Sequence, residues 1–262
     1  MRRYVHLLRI FVGVSLLNEL QYRANFVFQL VHSAISLAVA LGGLAIIYSH
    51  TATLGGWRPA ELVMLTGVYY VMLGIMGTFI APGMSRLMED VRQGTLDFAL
   101  TKPVSSQFYV SFRQVEPWRS TDTVLGVALL VGGALQLGDE IGPLRAGLFF
   151  GALAAAATIV YSFRLLLATL TFWMVRTDNL MVIFGSLYEA GRYPVGLYPE
   201  WLKAVLTFVV PVAFATTVPA EALAWRLSPE GLGIALAISL GLFLAASAFW
   251  RLGLRSYTGA SA

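Results

Sequence analysis

The sequence contains no cysteine. Disulfides, thiolate metal sites and cysteine nucleophiles are therefore excluded. Charge is also scarce: 12% of residues are Asp, Glu, Lys or Arg, against about 25% in an ordinary globular domain. With 58% hydrophobic residues and a mean hydropathy of +0.73, neither a soluble domain nor a disordered chain fits. Only two lysines occur, Lys102 and Lys203, and neither lies in a G-x-x-x-x-G-K-S/T phosphate loop. No G-x-S-x-G elbow is present. His6, His32 and His50 are isolated, and no H-E-x-x-H pair exists. The sequence thus offers no catalytic or metal site. The net charge of +4 comes without a basic run, so it does not point to nucleic acid.

What is there is a series of long apolar runs. A span needs about 20 apolar residues to cross about 30 Å of hydrocarbon. Phe26–Tyr48, Leu62–Ala81, Thr121–Leu137, Leu144–Val175 and Leu232–Trp250 meet this need or nearly so. The expected fold class is all-α integral membrane, with six transmembrane helices. The region 178–225 leaves two readings of the fifth span. It holds Pro194, Pro199, Pro211 and Pro219. One reading takes 178–196 as the span and 200–225 as a Pro-broken re-entrant segment; the other takes Leu202–Trp225 as the span. The first is preferred, with the re-entrant part at 197–228. In the fourth run, Gly147-x-x-x-Gly151 followed by Ala154 to Ala157 predicts close helix packing.

The N-terminal MRRYVHLLRIFVGVSLL resembles a signal peptide, but no small-residue cleavage site follows. Residues 4–20 are expected to form an amphipathic helix in the membrane interface. The expected organisation is 1–24 as interfacial helix and 25–262 as the transmembrane domain. Twelve Lys and Arg residues fall on the side of the N-terminus and five on the other, with Arg164 inside a span. The positive-inside rule then places both termini in the cytoplasm of a multi-pass inner-membrane protein.

The most polar stretch, 84–116, lies between the second and third runs. Met84, Leu87, Met88 and Val91 recur at i, i+3, i+4, i+7 and share one helical face. Gly94 stands where a left-handed C-terminal residue is needed. A short amphipathic helix at 84–94 is expected, then a connector through Lys102-Pro103 and a second helix at 106–116. Inside the apolar runs, Arg164 beside Tyr161, and the i, i+3 pair Glu189 and Arg192, are ionisable groups at membrane depth. Such groups mark substrate paths by default.

These stretches resemble the permeases of ABC-2-type transporters. The resemblance is carried by Glu89-Asp90-Val91-Arg92-Gln93-Gly94-Thr95-Leu96-Asp97 with Lys102-Pro103-Val104. It is also carried by Arg192-Tyr193-Pro194, Val210-Pro211-Val212-Ala213-Phe214, Trp250 to Tyr257 and Leu20-Gln21-Tyr22-Arg23. It extends over essentially the whole chain. It implies a type V exporter-like subunit that works as a dimer, with a second copy or a paralogous permease. Two separate ABC ATP-binding subunits would bind the ATP and Mg, so this chain holds no cofactor. It further implies that 84–94 is the coupling helix, with Met84, Leu87, Met88 and Val91 as the knob entering the ATPase groove. Glu89, Asp90 and Arg92 would be rim contacts. The residues considered without the resemblance leave two rivals, a lipid-modifying membrane enzyme and an ion-coupled transporter.

Overall fold

The computed structural model describes residues 2–19, 23–138, 142–174 and 177–257. Leu20 to Tyr22 of the N-terminal motif and Val175 at the end of the fourth run lie outside the described residues. The described part is helical. Helix α1 is Arg2–Glu19, α2 Arg23–His50, α3 Pro59–Ile75 and α4 Ala81–Gln93. Short helices α5 (Asp97–Leu100) and α6 (Ser106–Phe112) precede α7 (Ser120–Leu137) and α8 (Pro143–Thr169). Then come α9 (Asp178–Glu189), α10 (Glu200–Ala204), α11 (Val218–Leu223) and α12 (Pro229–Ser256).

Among the described residues, five helices are long and apolar enough to cross a membrane: Phe26–His50, Pro59–Gln93, Pro117–Leu137, Pro143–Phe172 and Pro229–Ser256. A sixth exists if Glu200–Val209 and Ala213–Leu223 count as one span, for they meet at a 79° bend. This makes the chain a multi-pass membrane protein of five or six spans. The expected span at 178–196 needs correction. Helix α9 has 12 residues, about 18 Å at 1.5 Å per residue, and the backbone is extended by Tyr193. That is well short of the hydrocarbon core. The alternative, Leu202–Trp225, is helical in two pieces that meet at that bend. Val210 is extended and Pro211 supplies no N–H, so the helix turns there. The bend is that of a broken span or of a re-entrant hairpin.

A second correction concerns the second run, expected to end at Ala81, just before Pro82-Gly83. The helix runs on through them, giving 35 residues and a rod of about 52 Å. Proline inside a helix withholds an N–H and leaves the carbonyl four residues back without a partner. Here the chain becomes π-helical over Met76–Ile80, and the free Thr78 carbonyl accepts the Glu116 N–H at 3.0 Å. The proline is absorbed by a local register change and an outside donor. Gly94 then ends α4 in the left-handed region at φ +68°, as expected.

Two packings hold the bundle. Helices α3 and α7 approach most closely along glycines spaced seven apart, Gly67 and Gly74 on one and Gly126 and Gly133 on the other. A Cβ on Gly126 would lie 2.6 Å from the Gly67 carbonyl oxygen and 2.5 Å from the Val71 nitrogen. The predicted Gly147-x-x-x-Gly151 seam is only half used: Gly151 meets Leu232 of α12, while a Cβ on Gly147 would meet nothing. At the opposite end from the α2–α3 turn, α1 lies along α6. Tyr4 stacks edge-on against Phe108 at 4.7 Å, Phe11 against Tyr109 at 5.8 Å, and Arg3 donates to the Pro103 carbonyl at 2.7 Å. Helix α6 ends at Phe112 rather than continuing to 116; residues 113–116 are an irregular link whose Glu116 N–H is given to the Thr78 carbonyl.

Candidate functional site

Two places gather the residues that the sequence singled out. The first is the end of the rod. Met84, Leu87 and Met88 do share a helical face, but they are 1%, 0% and 3% exposed and Val91 is half-buried. They pack within the chain, among Leu96, Val110, Leu165 and Trp250. Thr177 adds a hydroxyl to the Met88 sulfur at 3.3 Å. The apolar face that was expected to enter a partner's groove therefore fills the chain's own core. Periodicity identified the face and its burial, but not what covers it.

Asp90 also points inward. Its buried carboxylate accepts from Arg113 of the α6–α7 link, from Arg86 at 3.0 Å and from the Thr95 hydroxyl at 3.2 Å. Gly83 lets α4 sit directly on α6, for a Cβ there would lie 2.1 Å from the Ser111 carbonyl oxygen. What remains outside is a polar ridge and one aromatic ring. Glu89 accepts from both Arg92 and Gln93. Phe98 on α5 is 75% exposed, next to exposed Thr101, Lys102 and Pro103. No sequence period marks Phe98, since α5 has only four residues.

The second place is a cavity of about 250 Å³ among α2, α3, α7, α8 and α9. Arg164, Glu189 and Arg192 all line it, so the structure brings together three of the four substrate-path residues. Tyr161 is the exception. It lines a separate, largely apolar cavity of about 620 Å³ beneath α1, where its hydroxyl meets Gln107 at 3.2 Å and Ser111 at 3.0 Å. Glu189 and Arg192 do not form the expected i, i+3 pair. Arg192 instead donates to Ser36 at 3.4 Å and lies over the Tyr69 ring at 5.3 Å, while Glu189 is exposed at the rim. Arg164 lies over the Phe184 ring at 4.9 Å and, among the described residues, makes no hydrogen bond or ion pair. The Nε atoms of both arginines are buried without a partner.

Sequence reasoning missed the rest of the wall. Asp122 at the start of α7 is buried and accepts from Ser33 at 2.5 Å and from Gln29 at 3.4 Å, both on α2. Tyr70 donates to Ser36 at 3.0 Å. A period-reading of α2 could have flagged Gln29, Ser33 and Ser36 as one polar stripe on an apolar helix. Also missed was a clamp at the other end. Buried Glu61 binds Arg58 at 3.2 Å and Arg226 at 2.9 Å, and Arg226 covers the Trp57 ring at 4.7 Å, joining the α2–α3 turn to the α11–α12 link. The sequence separation of 165 residues hides this pair.

A polar chamber inside a bundle of membrane-length helices is an arrangement that suits transport. A family model described as ABC-2 family transporter protein matches residues 34–261, and the chain belongs to that family. No curated protein and no solved structure matches the chain.

Proposed function

We propose that the chain is the permease subunit of an ATP-driven exporter and takes its energy from a separate ATP-binding subunit docked at the α4–α5 elbow. Membership of the ABC-2 family supports the transport part of this reading. The observation that carries the docking part is Phe98. It is an aromatic ring 75% exposed on α5, just after the rod ends, in the same loop as the Glu89, Arg92 and Gln93 ridge. An aromatic anchor with a polar rim is the composition of an interface hot spot. The knob thus passes from Met84, Leu87 and Met88 to Phe98, while Glu89 and Arg92 keep the rim role.

The rod gives the elbow its reach. Pro59–Gln93 is one helix, and Tyr69, Tyr70 and Met76 on it line the polar cavity. A push on the elbow is carried along a packed helix to the cavity wall, which is the kind of two-ended element that coupling needs. The elbow faces the cytoplasm, where the excess of Arg and Lys on that side points. Two permeases and two ATP-binding subunits, which hold ATP and Mg, complete the complex.

Phe98→Ala is expected to weaken association with the ATP-binding subunit by about tenfold, because truncating an aromatic anchor typically costs over 1 kcal/mol. The thermal midpoint should stay as in the natural chain, since the ring is exposed. Affinity is read by co-purification and titration in detergent. Unchanged affinity would remove the elbow from the interface. Leu87→Asp does not discriminate: it buries a charge in the core and should abolish folding before docking is tested.

A further inference from the structure

The polar cavity is smaller than a site for a drug-sized molecule, which usually runs from about 300 to 1,000 Å³. At about 250 Å³ it has room for a headgroup and not for a whole scaffold. Its charges are unevenly committed. Asp122 already accepts from Ser33 and Gln29, and Arg119 donates to Glu116 at 2.7 Å. Glu189 stands at the exposed rim. Arg164 and Arg192 instead lie over aromatic rings, Arg192 also donating to Ser36 at 3.4 Å, and the Nε donors of both are buried without a partner. A guanidinium is planar, always charged and built to grip an oxyanion through paired donors. Holding two of them in a bilayer-depth cavity is costly unless something anionic uses them.

The wall that would admit such a group is α2. Its inner stripe of Gln29, Ser33 and Ser36 makes the polar contacts described above. Its outer side carries Phe28, Ile35 and Val39, which are 60–74% exposed. One helix therefore presents polar groups to the chamber and apolar ones to the surroundings.

We propose that this cavity is the headgroup site for an anionic amphipath. Arg164 and Arg192 would grip a phosphate or carboxylate, and the apolar tail would stay outside along α2. The proposal rests on the transport reading for its purpose, yet it concerns binding by the permease alone. It can fail while docking at Phe98 stands, and the reverse.

The test is a calorimetric titration of the purified full chain in phosphatidylcholine nanodiscs, with empty nanodiscs as background. The probes are dodecyl phosphate, dodecyltrimethylammonium and inorganic phosphate. Dodecyl phosphate is expected to bind saturably, and R164Q or R192Q should each weaken it about tenfold, as loss of a charge-assisted contact does. Inorganic phosphate should bind far more weakly, since it lacks the tail. Should the glutamine variants lose their thermal transition, R164K and R192K keep the charge but lose the paired donors. They are expected to weaken binding several-fold. Any of four results overturns the proposal: no saturable binding above background, equal binding of dodecyltrimethylammonium, inorganic phosphate binding as tightly as dodecyl phosphate, or full binding by the folded arginine variants.

Discussion

Replacing Asp90 with alanine is expected to lower the stability of the chain by about 3 kcal/mol, the lower end of the cost of removing one partner from a buried ion pair. The lower end applies because Arg86, one of its two cations, is half exposed. Arg113 is not. Its side chain is 16% exposed, its Nε is already buried without a partner, and it lies over the Tyr109 ring at 5.7 Å. Without Asp90 it keeps its charge in a place made for a pair. The Thr95 hydroxyl loses its acceptor as well. The measurement is unfolding in detergent followed by tryptophan fluorescence. Glu89→Ala on the same helix should change stability by no more than about 0.5 kcal/mol, because that carboxylate sits on the outer ridge. Asp90→Leu with Arg113→Met should recover most of the loss, as apolar replacement of a whole buried pair commonly does. Equal effects of Asp90→Ala and Glu89→Ala would refute the inward role of Asp90.

This contrast also bears on how coupling is tested. Asp90 was a rim residue by resemblance, and its loss would reduce association with an ATP-binding subunit either way. Only a stability measurement separates a contact from a clamp. Phe98 and Asp90 make the separating pair, one with its ring exposed and one with its carboxylate buried against three side chains.

The spans were legible because a run of some 20 apolar residues has few uses outside a bilayer. The helix at 84–94 was legible from its period and its closing glycine. What the period cannot tell is which surface covers an apolar face. Met84, Leu87 and Met88 obey the same spacing whether they meet a partner's groove or Val110 and Trp250 of the same chain. The intramembrane charges were visible one by one. Their convergence was not, since Arg164 and Arg192 reach the cavity from α8 and the end of α9, and Asp122 meets Ser33 across 89 residues. Pro82 misled because a proline usually ends a helix, and here a π-turn and a distant N–H replace the lost bond. Short α9 misled in the other direction, since apolar composition does not fix length.

The glycines of the α3–α7 seam give the second large effect, and α7 contains its own control. Gly126→Ala and Gly132→Ala add the same methyl to the same helix. Each gains about 1 kcal/mol of helix propensity. At Gly132 the new Cβ meets nothing within 4 Å. At Gly126 it would lie 2.5 Å from the Val71 nitrogen and 2.6 Å from the Gly67 carbonyl oxygen. Those are backbone atoms, so no side chain can rotate away, and the two helices must separate. Overpacking of this kind costs typically 1–3 kcal/mol, and a backbone clash belongs at the upper end. The net expectation is a loss of about 2 kcal/mol for Gly126→Ala, after the propensity gain of about 1 kcal/mol. Gly132→Ala should be neutral or stabilising. Because α3 is the part of the rod that lines the cavity, spreading α3 from α7 also displaces Tyr69 and Tyr70. Gly126→Ala should therefore reduce dodecyl phosphate binding where Gly132→Ala leaves it intact. Identical unfolding midpoints for the two variants would mean that the helices do not meet along this seam.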